Sequence, residues 1–287
     1  MDKTTGQDVV TEHESDRNTA AATTPNVYAG LDVAIGENIG TVTLNRPEIL
    51  NRIDAALHVE LTRCFTDLSS LDTMRAVILT STGKAFSAGG DTSLMYEAHR
   101  SLTSRLRIVD DGRRLVHALV ELPQPLIVAL NGDAIGLGAT VTLMADVVVA
   151  PRSAGISDPH VQFALVAGDG GCAVWPASAG MMAARRYLLT GDRLPAQEAY
   201  RLGLVTDLVD TADQALDLAK VIAKKIASLP PLGVRGTKRA LNHVMRARLG
   251  EVLDLSLAYQ TSTLASDDLL EAIAAFKERR PGEFGGK

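Results

Sequence analysis

The stretch that most constrains this chain runs from Pro125 to Asp146. Pro125 to Leu130 is an apolar run with the length of a buried strand. It feeds directly into Asn131 to Asp146 (NGDAIGLGATVTLMAD), a turn containing Gly132, Gly136 and Gly138 followed by a helical segment. The spacing predicts a helix that begins near Leu137 or Gly138. Its first N–H groups have no intrahelical acceptor and carry partial positive charge. Such a turn stabilises a phosphate, a carboxylate or a developing oxyanion, and it equally suits a tight strand-to-helix turn with packing glycines. The surrounding chain has to choose between these.

That chain reads as α/β. Val27 to Pro47 alternates like a hairpin, with Gly36 and Asn38 near its turn. Ile53 to Leu71 places Leu57, Leu61, Phe65 and Leu68 on one face of a helix. Arg75 to Thr80 (RAVILT) suits a strand buried on both faces, and Leu94 to Leu122 is mostly helical. Asp146 to Ala150 is a further strand. Beyond Gly171 helices predominate, at Gly180 to Leu189, Pro195 to Leu202 and Ala212 to Ser228, with Gly203 as a C-cap before a strand at Leu204 to Val209. Pro230 and Pro231 interrupt, and three further helical stretches are expected up to about Arg280. The order implies one α/β core over residues 27–210 and a helical subdomain over 211–287. Residues 1–26, polar and without apolar periodicity, are expected to be a disordered tail.

Composition narrows the function. With 287 residues and 46% apolar content, a large core is available. A net charge of −5 and 4% aromatics argue against nucleic-acid binding. No apolar run is long enough to span a membrane and no secretory signal opens the sequence, so a cytoplasmic location is expected. Cys64 and Cys172 are expected to be buried free thiols, and the six histidines lack metal-binding spacing, so no metal is expected.

Five segments, in order, resemble the crotonase superfamily of enoyl-CoA hydratases and isomerases: Gly40 to Asn51 (GTVTLNRPEILN), Gly83 to Asp91 (GKAFSAGGD), Asn131 to Asp146, Arg201 to Val209 (RLGLVTDLV) and Glu271 to Gly285 (EAIAAFKERRPGEFG). The resemblance implies an α/β spiral of ββα units with a C-terminal helical subdomain, assembled as a homotrimer or a hexamer. It implies an acyl-CoA substrate, coenzyme A entering as part of that substrate, and no permanently bound cofactor. Two backbone N–H groups would hold the thioester oxygen, matched here to Ala88 and Leu137. Gly89, Gly136, Thr140, Phe276 and Arg279 fall at substrate-binding positions, the last two toward coenzyme A.

Departures from the pattern redirect the chemistry. Thr140 and His160 stand where typical hydratases carry glutamates, which disfavours hydration by paired carboxylates. Asp169 supplies a carboxylate nine residues beyond His160, as in some isomerases of the family. The His160 and Asp169 combination also resembles the family's β-diketone hydrolases, which cleave a carbon–carbon bond. Asp158 is expected to be structural and Asp91 to cap the next helix. Three functions therefore stand: isomerisation or hydration of an acyl-CoA, hydrolysis of a cyclic β-diketone, or coenzyme A binding without catalysis.

Overall fold

Residues 27–287 are described by a computed structural model, and the expectation of a disordered tail falls outside them. Strands β1 (Leu31–Gly36) and β2 (Ile39–Leu44) form an antiparallel hairpin. Glu37 and Asn38 close it with φ of 52° and 62°, the left-handed pair that matches strand twist in a two-residue turn.

Helix α1 (Ala55–Ser69) starts where the Asp54 carboxylate accepts from the Leu57 N–H, and it buries Leu57, Leu61, Phe65 and Leu68 as the spacing predicts. Strand β3 (Ala76–Ser81) follows, then α2 (Thr92–Arg100), α3 (Leu102–Glu121) and β4 (Leu126–Ala129). The helical stretch expected over Leu94 to Leu122 is thus divided. Ser101 adopts an extended conformation and its hydroxyl caps α3 by accepting from the Ser104 N–H. Next come β5 (Ala134–Ile135), α4 (Leu137–Leu143), β6 (Val147–Pro151), β7 (Gly155–Ser157), α5 (Gly171–Ala179), α6 (Met181–Leu188), β8 (Leu194–Pro195), α7 (Ala196–Arg201) and β9 (Asp207–Val209). The chain ends in α8 (Ala212–Ala227), α9 (Pro231–Thr263) and α10 (Asp267–Glu278).

Six strands form one sheet in the order β1-β2-β3-β4-β6-β9, parallel from β2 onward, and β5-β7-β8 form a smaller sheet. The two-residue period of β3 assigns its side chains to two layers. Val77 and Leu79 join the main core with α1 and α3, whereas Ala76 and Ile78 meet Ala215, Ala219 and Ala223 on α8. Small residues at four-residue spacing let α8 lie close against the sheet.

Two expectations about the C-terminal region change. α8 packs on the sheet and so belongs to the core layer rather than to a subdomain beginning at residue 211. Two helices, not three, follow Pro230, because no glycine or proline interrupts α9 strongly enough to divide its 33 residues. α9 and α10 form a third cluster with α2 and α3, through Leu249, Leu253, Leu257 and Ile273. Cys64 is buried as expected, but Cys172 is only half-buried. Among the described residues, no helix is long and apolar enough to cross a membrane.

An ion pair with a buried lysine and a solvent-facing aspartate ties α9 to the sheet. Lys238 Nζ donates to Asp146 Oδ2 at 2.5 Å and to the Gln124 carbonyl at 2.9 Å, while Asp146 also accepts from the Leu126 N–H at 2.7 Å. Removing Asp146 leaves the buried ammonium without its counter-charge, whereas removing Lys238 leaves a carboxylate that water can reach. Asp146→Asn should lower stability by about 2 kcal/mol in urea unfolding, and adding Lys238→Met should recover part of that loss.

Candidate active site

The site forms where two loops meet. Loop 83–91 hydrogen-bonds to the 131–138 turn through Ser87 N–H to Asp133 O (3.2 Å) and Ile135 N–H to Ser87 O (2.9 Å). Gly89 lies so close to that turn that a Cβ there would sit 2.8 Å from the Ile135 carbonyl oxygen. Gly136 caps α4 with φ 54° and ψ −122°, a conformation reserved for glycine, and so aims the start of α4 into the site. Leu137 is the first residue of α4, which leaves its N–H without an intrahelical acceptor.

The other expected donor is already engaged. The Ala88 N–H donates to the Leu50 carbonyl at 2.9 Å, and the Gly89 N–H donates to Ser87 Oγ at 3.2 Å. The Gly90 N–H, by contrast, has no hydrogen-bond acceptor among the described residues. Gly90 and not Ala88 therefore leaves this loop's free N–H, and Gly90 lines the site. The extra turn made by Leu50 and Asn51, both at positive φ, brings the competing carbonyl to Ala88 and was not visible in the motif.

His160 opens a short 3-10 turn after Pro159, and the structure brings it to Asp169, a contact that the spacing alone left open. Its Nε2 lies 3.5 Å from Asp169 Oδ2. Its Nδ1–H donates to Asp158, a fully buried residue that is consequently part of the site and not a remote structural acid. The Asp-Pro-His sequence was the available signal. Burial disfavours the imidazolium, but the two carboxylates and the Nδ1 hydrogen bond outweigh it and raise the His160 pKa to about 9. For Asp169, burial raises the pKa, the His160 charge opposes and the Asp158 charge reinforces, with a net upward shift. Asp169 Oδ1 and the Thr140 hydroxyl are both buried and, among the described residues, neither makes a hydrogen bond of good geometry, although Thr140 lies close enough to oppose the rise in the Asp169 pKa.

Two neighbouring spaces adjoin these residues. An outer cavity of about 980 Å³ is lined by both loops and the C-terminal segment, including Ala88, Gly89, Gly136, Phe163 and Phe276. An inner chamber of about 60 Å³ is lined by Leu137, Asp169, His58, Gln260 and apolar side chains. His160, Gly90, Met95 and Leu165 border both and form the partition. Phe276 packs on Phe163 at 5.2 Å between ring centroids, as an aromatic wall of the outer cavity. Arg279 does not reach it. Arg279 caps α10 with φ 55° and is exposed, and the cations that line the cavity are Arg52, Arg193 and Arg280.

The comparisons with known proteins agree with this architecture. The enoyl-CoA hydratase/isomerase family model matches residues 34–287. The 1,2-epoxyphenylacetyl-CoA isomerase of Escherichia coli K12 is 34% identical over 260 residues, covering 88% of this chain and 97% of the relative. The short-chain-enoyl-CoA hydratase of Clostridium acetobutylicum is 31% identical, covering 84% and 92%. A crystal structure of an enoyl-CoA hydratase/isomerase from Mycobacterium paratuberculosis superposes with a TM-score of 0.82 at 36% identity, covering 85% of this chain and 97% of that one. The chain belongs to the enoyl-CoA hydratase/isomerase (crotonase) family and is an acyl-CoA-processing enzyme of that family.

The His160 charge state gives a direct test. Its pKa is raised from 6.5 to about 9 on folding, so the associated stability is complete below pH 6.5 and is lost as pH rises through about 9. In Asp158→Asn, NMR titration should find the His160 pKa lowered, and the loss of stability across that pH window should flatten.

Proposed function

We propose that the protein is an acyl-CoA isomerase that moves a proton along an unsaturated acyl group, with Asp169 as the acid/base. The thioester oxygen accepts from the Gly90 and Leu137 N–H groups. As Asp169 removes the α-proton, the electron pair delocalises onto that oxygen as a dienolate; reprotonation of the γ-carbon by the same carboxyl completes the shift. The observation that carries this proposal is a carboxylate with a raised pKa, Asp169, that lines the inner chamber together with Gly90 and Leu137. A raised pKa strengthens a carboxylate as a base, and preorganised N–H donors lower the cost of forming the enolate.

His160 serves this chemistry as a cation. Held between Asp158 and Asp169, it keeps Asp169 ionised despite burial and orients it. The same array favours a second reaction, hydrolysis of a β-diketone carbon–carbon bond with water activated by His160. An imidazole with a pKa of about 9 is a base only at alkaline pH, so that route predicts activity rising toward pH 9. Hydration remains the coarser alternative within the family, and coenzyme A binding without turnover is the third.

Coenzyme A would occupy the outer cavity, its ring system against Phe276 and its phosphates near Arg52, Arg193 and Arg280. A homotrimer, or a hexamer built from two, would cover the exposed Leu232, Leu241, Val244 and Leu255 of α9.

The test is product analysis with a panel of enoyl-CoA isomers and β-diketones. Asp169→Asn should lower kcat for double-bond migration by about 10²- to 10⁴-fold with KM little changed. Undiminished turnover by Asp169→Asn, or an alkaline profile that yields a cleaved diketone, would transfer the function to one of the other readings.

A further inference from the structure

His58 is not used by the mechanism above, yet it faces the place where the acyl group would go. It lies on the buried side of α1, in the same face as Leu57, Leu61 and Phe65, and is 5% exposed. It lines the inner chamber together with apolar side chains such as Ile53, Met95 and Leu264 and with the polar Asp91, Asp169 and Gln260. Its Nε2 is buried and has no hydrogen-bond partner among the described residues. Native proteins rarely leave such an atom unpaired, because it has lost its water and gained nothing.

We propose that His58 is a specificity-determining residue whose Nε2 hydrogen-bonds a neutral oxygen function, a hydroxyl or a carbonyl, carried by the acyl group within the inner chamber. The inference rests on the acyl-CoA function proposed above. A plain alkyl group filling the chamber would seal the imidazole nitrogen without a partner, whereas an oxygen would satisfy it. The charge state limits the choice further. Burial alone pushes the His58 pKa down to about 4, so the ring is neutral at physiological pH and offers no cation to an anionic tail. Two carboxyls, Asp91 and Asp169, line the chamber against one imidazolium, His160, so its charges do not attract such a tail either. Size sets the last limit: a chamber of about 60 Å³ admits only a short group.

Saturated thioesters bind without being isomerised, which separates recognition from chemistry. Isothermal titration of the full-chain protein with butyryl-CoA, γ-hydroxybutyryl-CoA and γ-ketovaleryl-CoA should show at least one oxygenated ligand binding about tenfold or more tightly than butyryl-CoA. In His58→Leu that preference should fall to within about twofold, through weaker binding of the oxygenated ligand alone. His58→Gln, which retains a donor and an acceptor, should keep a preference of about threefold or more. Should His58→Leu not fold, His58→Met supplies the apolar comparison. Binding of butyryl-CoA with no oxygen preference in the wild type, or a preference unchanged in the apolar variant, overturns the role of His58 and leaves the acyl-CoA reading in place. Failure of the wild type to bind any of the three thioesters overturns that reading, and this proposal with it.

Discussion

The backbone contact between loop 83–91 and the 131–138 turn is the constraint on which the site depends. Each loop leaves its own strand, β3 or β4, and those strands are parallel neighbours, so both loops emerge at the same end of the sheet. The hydrogen bonds at Ser87 then fix their separation. Because Gly89 has no side chain, the turn approaches until Gly90 and the first residue of α4 border one chamber. Neither loop makes a thioester-oxygen site alone. The sheet holds them in register, and the donors they offer are main-chain groups that cannot rotate away.

Electrostatics complete the site by crowding three ionisable groups into one buried volume. Two carboxylates and one imidazole carry a net negative charge when all are ionised, and the imidazolium is what makes the second carboxylate tolerable there. Asp158 holds the ring through Nδ1 and Asp169 faces it through Nε2, so in the proposed isomerisation the two acids have different parts. His58, which lines the same chamber, has no carboxylate partner among the described residues and is neutral, so the chamber presents both charged groups and an uncharged polar one.

Much of the fold was legible in the sequence because burial and periodicity write it there. The AVIL of RAVILT is an unbroken apolar run since β3 is covered on both faces, and α1 shows its buried stripe at helical spacing. His160 and Asp169 were picked out by the motif, but nine residues of spacing could not say whether they meet; the loop that folds between them sets their 3.5 Å separation. Other residues were less visible. The donor was placed at Ala88 because a motif names residues and not the acceptors of their N–H groups; the Leu50 carbonyl that claims Ala88 comes from a distant loop in the left-handed region. Arg279 was chosen over Arg280 since one residue at a helix end reverses a side chain's direction, and a positive φ at a C-cap is weakly encoded in an arginine. His58 carries no motif at all. It occupies a core position of an amphipathic helix, and only the absence of a hydrogen-bond partner distinguishes it from a packed residue.

The long helix α9 joins places that the sequence keeps apart. Near its start Lys238 grips the foot of the sheet, and eighteen residues later Ser256 Oγ donates to the Gly168 carbonyl at 3.1 Å, next to Asp169. At the rise of an α-helix that separation is about 27 Å. Gln260, one turn further on, presses so closely on Gly168 that a Cβ there would meet its Oε1 at 2.7 Å. The loop that carries Asp169 is thus braced from outside by a rigid strut footed at the opposite end of the sheet. Sequence drift along that strut has a route to adjust the attitude of the Asp169 carboxylate while every residue lining the cavity stays the same.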